Sequence, residues 1–140
     1  NISDEPLDLS GVSFSEGVTF AFQNSVITTL DAGQFVLVVR NKEAFAHRYG
    51  PEAASRIAGQ YEGKLANEGE SIRLVDFWTG TITAFEYSDE SPWPTSPDGE
   101  GYSLIPLDTA LPDEPTGSLN DPANWRTSEN VGGSPAHDDP

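Results

Sequence analysis

A chain of 140 residues and 15.1 kDa, with 23 acidic residues against 7 basic ones and a net charge of −16, fits a single domain. That charge works against a nucleic-acid surface and against docking on anionic lipid, both of which need clustered Lys and Arg. No apolar run approaches the roughly 18 residues of a membrane span, and the absence of Cys excludes disulfides, thiolate metal ligands and a Cys nucleophile. Residues 1–85 hold 11 acids and 6 bases, whereas residues 86–140 hold 12 acids, a single base (Arg126) and 9 of the 11 prolines. A packed body over residues 1–85 is expected from this, followed by one or two strands and an irregular, solvated tail; as domains, residues 1–110 are expected to form the β-sandwich and 111–140 an acidic, Pro/Gly-rich closing segment and tail.

The apolar pattern is mostly that of strands. Val18, Phe20 and Phe22 alternate with polar or small residues, which predicts a half-buried strand. Phe35 to Val39 is apolar on both faces and rich in β-branched residues, which predicts a strand central in a sheet. Lys42 to Tyr49 is the one helical stretch: Asn41 is a good N-cap, Phe45 and Tyr49 share a stripe, and Gly50 with Pro51 ends the run, with a further helical turn over Pro51 to Ile57. A turn at Asn67–Gly69 leads into alternating strands at Ser71–Asp76 and Thr81–Tyr87. Phe77-Trp78-Thr79-Gly80 joins them as a hairpin whose glycine suits a positive φ. Tyr102 to Leu107 is a last strand, placed at an edge by Pro106. Short strands, frequent turns and one short helical insert predict an all-β fold, a β-sandwich.

Few residues suggest chemistry. His47 lies four residues after Glu43 on the helix, and His137 lies near the end of the sequence; neither belongs to a metal-ligand spacing. No Gly-x-Ser-x-Gly elbow and no phosphate-binding glycine loop is present. With 23 acids, carboxylate pairs arise by chance and do not single out a glycosidase. Asp89, Glu90, Asp98 and Glu100 share the Pro-rich loop Ser88–Gly101, and hard oxygen ligands on a stiff loop suit Ca2+, although their spacing is not that of an EF-hand. Trp78 at the hairpin tip and Trp93 between Pro92 and Pro94 are candidates for stacking on a sugar ring, with burial as the competing role for Trp93.

The order of segments resembles the lamin-tail domain, in the form found in secreted and cell-surface bacterial proteins. The residues that carry the resemblance are Asn1 with Pro6–Gly11, Val18–Phe22, Phe35–Arg40, the helical insert Ala44–Gly50, Tyr61–Gly63 with Leu65–Glu70 and Ile72–Leu74, Tyr87–Pro94, Asp98–Leu104 and Asn120–Arg126 followed by Gly132–Pro135. Val12 stands where the family often has Trp. The family's first strand precedes the Asn. The resemblance therefore implies a strand before Asn1 and, without it, an unpaired edge that favours weak self-association. It implies an immunoglobulin-like β-sandwich, no catalytic residues and no obligatory cofactor. The expected role is a binding or accessory module of a larger exported protein, located outside the cell or at its surface, with a protein or cell-surface partner. A carbohydrate-binding module using Trp78 and Trp93 is the alternative.

Overall fold

The computed structural model describes residues 1–108 and 118–140. In chain order the strands are β1 (Leu7–Asp8), β2 (Val12–Glu16), β3 (Phe20–Ala21), β4 (Thr29–Leu30) and β5 (Leu37–Val39). The helix α1 (Lys42–Ala54) comes next, then β6 (Ile57–Gln60), β7 (Gly69–Asp76), β8 (Gly80–Ser88), β9 (Leu104–Pro106) and β10 (Trp125–Thr127). The result is a β-rich domain with one helix. Its strands are mostly antiparallel and are distributed over four small sheets.

The largest sheet has the order β3-β2-β7-β8. The β7–β8 hairpin forms where alternation predicts it, in register from Gly69 opposite Ser88 to Asp76 opposite Gly80, with a bulge between Leu74 and Val75. Gly80 has φ 94°, the conformation its place in the tip requires. β2 lies antiparallel to β7, with Phe14 opposite Leu74, so a segment close to the start of the sequence is tied to the hairpin. The apolar core gathers Leu9, Val12, Phe22, Leu30 and Ala58, with Phe20, Val38 and Leu74 packed against it. Burial of such side chains is the main term favouring the fold.

The helix matches its signals closely. Asn41 Oδ1 accepts from the Ala44 N–H at 2.9 Å, and the Phe45 and Tyr49 rings lie 4.6 Å apart. Gly50, at φ 82° and ψ 175°, kinks the helix; the turn beginning at Pro51 ends at Ala54, short of the expected Ile57, which opens β6. α1 is the crossover between β5 and β6, which pair in parallel with Leu37 opposite Ile57; a parallel pair needs such a connection.

Three expectations are corrected. The strand anticipated from Val18 shrinks to Phe20–Ala21, because Phe22 enters a 3-10 turn closed by a bond from Ser25 N–H to Phe22 O and points into the core. The stretch from Phe35 is not a central strand. β5 starts at Leu37 and, among the described residues, pairs with β6 alone in a two-stranded sheet, so it has an edge and not a central position. The closing segment is not a solvated tail in its described part. β10 pairs antiparallel with β9, Arg126 opposite Ile105. The Trp125 indole donates to Leu119 O at 2.8 Å and lies 5.0 Å from the Phe85 ring. The expected boundary between residues 110 and 111 lies outside the described residues.

Candidate functional site

Asp76 is the last residue of β7, and its carboxylate organises the hairpin tip. Its Oδ1 accepts from Trp78 N–H at 2.9 Å, from Thr79 N–H at 2.8 Å and from Thr79 Oγ1 at 3.0 Å. Phe77 N–H donates to Gly11 O at 2.8 Å. These bonds fix the turn and leave its two aromatic side chains pointing outward, Phe77 at 78% exposure and Trp78 at 81%. The rings meet edge to face, 4.8 Å between centroids. Large apolar side chains normally contribute by burial, so two adjacent ones held in water on a fixed turn are an exception that needs a cause.

Beside them runs an open groove of about 390 Å³ whose lining includes Ser10, Gly11, Ser13 and Gln23 as well as Phe77 and Trp78. Gly11 sits against both groups: a Cβ there would lie 2.7 Å from Asp76 Oδ2 and 3.2 Å from Trp78 Cδ1. Asp8 stands nearby and accepts from Ser10 N–H at 2.8 Å. The Ser10 backbone bond holds the Asp8 carboxyl below its ordinary range. The Thr79 backbone bond does the same for Asp76, against partial burial and the repulsion of Asp8. Both are therefore ionised at neutral pH; the groove's own lining combines an aromatic face with neutral hydrogen-bonding groups, and the two carboxylates lie outside it.

The other anticipated residues lie elsewhere. Trp93 is 9% exposed and packs against Trp125 with 5.8 Å between rings, so its faces are occupied by protein. Of the four acids of the Ser88–Gly101 loop, Asp89 is half-buried and Glu90, Asp98 and Glu100 are exposed; Asp98 Oδ1 accepts from Asn67 Nδ2 at 3.0 Å. Among the described residues no set of three or more His, Asp or Glu side chains is gathered closely enough to hold a metal ion. His47 is exposed on α1, and exposed His137 lines a separate recess with Glu52 and Arg56. Among the described residues no helix is long and apolar enough to cross a membrane.

Sequence reasoning placed Trp78 at the tip but missed Asp8, Gly11 and Asp76. The usable signals were local: Asp8-Leu9-Ser10 and Asp76-Phe77-Trp78-Thr79 are both aspartates set to accept from backbone N–H groups two or three residues on. What joins them is the β2–β7 pairing. No family model, no curated protein and no solved structure matches the chain.

Proposed function

We propose that this chain is a non-catalytic binding module of a larger exported protein, an immunoglobulin-like sandwich of the lamin-tail type that docks a protein or cell-surface partner through the tip of the β7–β8 hairpin. The observation that carries the reading is the exposed Phe77–Trp78 pair, locked in place by Asp76. A rigid aromatic anchor surrounded by hydrogen-bonding groups is the composition of a binding hot spot, and its ordering cost has been met before the partner arrives. Localisation outside the cell and attachment to a neighbouring domain belong to the same proposal and follow from the resemblance.

Arrays of extracellular proteins and of glycans, probed with the native chain and with Trp78→Ala, test it. Binding that disappears in the variant while the melting temperature stays unchanged supports the tip as the docking surface; binding unaffected by the substitution contradicts it. A sugar ligand is the second reading, favoured by the neutral Ser10, Ser13 and Gln23 beside the indole. It now rests on Trp78 alone, since Trp93 is packed against Trp125.

A further inference from the structure

The lining of the groove beside Trp78 narrows the chemistry of what it can hold. β2 and β3 turn Val12 and Phe20 toward the core and set Ser13 opposite Ala21 on the other face. With Gly11 these small residues leave the groove open, and Phe77, Trp78 and Gln23 stand around it. The two rings meet at 90°, so the edge of one takes up a face of the other and the pair makes a corner, not a flat platform. No charged residue lines the groove. The Trp78 indole N–H, the Ser13 hydroxyl and the Gln23 side-chain amide have no hydrogen-bond partner among the described residues, so the groove offers donors without acceptors.

Peptides dock on proteins in a few recurring ways, and the groove fits few of them. Strand addition needs a free edge, but β3 is two residues long and Thr19 before it already exchanges bonds of 3.0 and 2.9 Å with Glu62. A docked helix needs an apolar trough, and here serines and a glutamine stand among the aromatics. An acidic or phosphorylated segment needs Lys or Arg, which the lining lacks, and a net charge of −16 repels it. We infer that the groove receives a neutral, proline-rich segment of the partner protein in the polyproline II conformation, with a proline ring in the Phe77–Trp78 corner and carbonyls accepting from the indole N–H and the Gln23 amide. The inference rests on the hairpin tip being the docking surface and names the chemistry of what docks there. A polyproline II segment has no internal hydrogen bonds, so its carbonyls are free acceptors, and its stiffness matches a turn already locked by Asp76. A sugar ring stacks on a flat face; a corner of two rings suits a compact pyrrolidine, and a donor-only indole N–H suits a backbone rich in acceptors and poor in donors.

The test is calorimetric titration of the intact chain with a capped oligoproline peptide, with a capped Gly/Ser peptide of the same length, and with neutral oligosaccharides, each at low and at physiological salt. Oligoproline should bind with an affinity that salt leaves unchanged, because neither the ligand nor the lining is charged. The Gly/Ser peptide should bind at least about tenfold less tightly, and Trp78→Ala should cost oligoproline a similar factor. Gln23→Ala, at an exposed position, should weaken binding several-fold without moving the melting temperature; it also serves as the second variant if Trp78→Ala melts early. Equal binding of the Gly/Ser peptide overturns the inference, as does oligoproline binding that neither Trp78→Ala nor Gln23→Ala weakens. If oligoproline fails but an oligosaccharide, or another protein on the arrays, binds and is lost in Trp78→Ala, the inference falls and the docking tip stands; if every probe fails, both fall.

Discussion

Trp78 and Trp93 have opposite fates, and the difference is set by what stands opposite each. Trp93 crosses the loop after β8, lies against Trp125 and is 9% exposed. Trp93→Ala should cost about 3–5 kcal/mol, the range for a buried large aromatic; a loss below about 1 kcal/mol in chemical denaturation would show that the indole is not part of the packed interior. Trp78 stands beside Gly11 and Phe77 and is 81% exposed. Gly11→Ala is the sharper probe of the groove. Its Cβ would press on both Asp76 Oδ2 and the indole, so the ring must shift. Ligand affinity should drop, Trp78 emission should change, and the melting temperature should fall somewhat because the Cβ presses on the carboxylate that holds the turn; unchanged affinity would show that the ring is free to move without consequence. The exposure of Trp78 was legible in its hairpin context. Its closeness to Gly11 was not, because that contact arises between strands far apart in sequence.

Elements with local signals formed as their residues foretell: the Asn41 cap, the α1 stripe and the β7–β8 alternation all depend on neighbours within a few positions. Elements held by distant partners did not follow. β2, β6 and β10 are too short to announce themselves and exist because β7, β5 and β9 complete them. β10 is further secured by a clasp. The Asp139 side chain is 3% exposed and accepts from Arg126 Nη1 at 2.7 Å, Glu129 N–H at 2.9 Å and Ser134 Oγ at 2.8 Å. The Glu129 backbone bond is the largest of the causes holding its carboxyl below the ordinary value of 3.8, with Ser134 and Arg126 acting in the same direction against partial burial. Because the folded value is the lower one, the clasp contributes fully above pH 3.8 and is lost as pH falls through the folded value. Acidification should therefore release residues 128–140 and expose the Trp125 neighbourhood to hydrogen exchange, and Asp139→Asn should show faster exchange there already at pH 7. Exchange in that segment that is equal in both proteins and independent of pH would contradict the clasp.

At the scale of the whole molecule the dominant fact is charge. A net −16 on 140 residues opposes compaction, and among the described residues the side-chain ion pairs are Arg73–Glu16 and Arg126–Asp139. Sodium chloride should raise the melting temperature by screening this self-repulsion, with most of the gain between about 0.01 and 0.2 M, where the Debye length falls from about 30 Å to below 10 Å; a melting temperature that falls with salt would show that ion pairs outweigh the repulsion. The same field keeps nucleic acid away, so a mobility shift with DNA at low salt should be absent. The direct measurement is an amide and indole chemical-shift map of the native chain titrated with a protein or glycan ligand identified on the arrays. The account predicts shifts at the Trp78 indole and at Gly11, Ser13 and Gln23, with the Trp93 and Trp125 indoles unmoved. Shifts spread over the Ser88–Gly101 loop and the acidic surface, with Trp78 still, would contradict it.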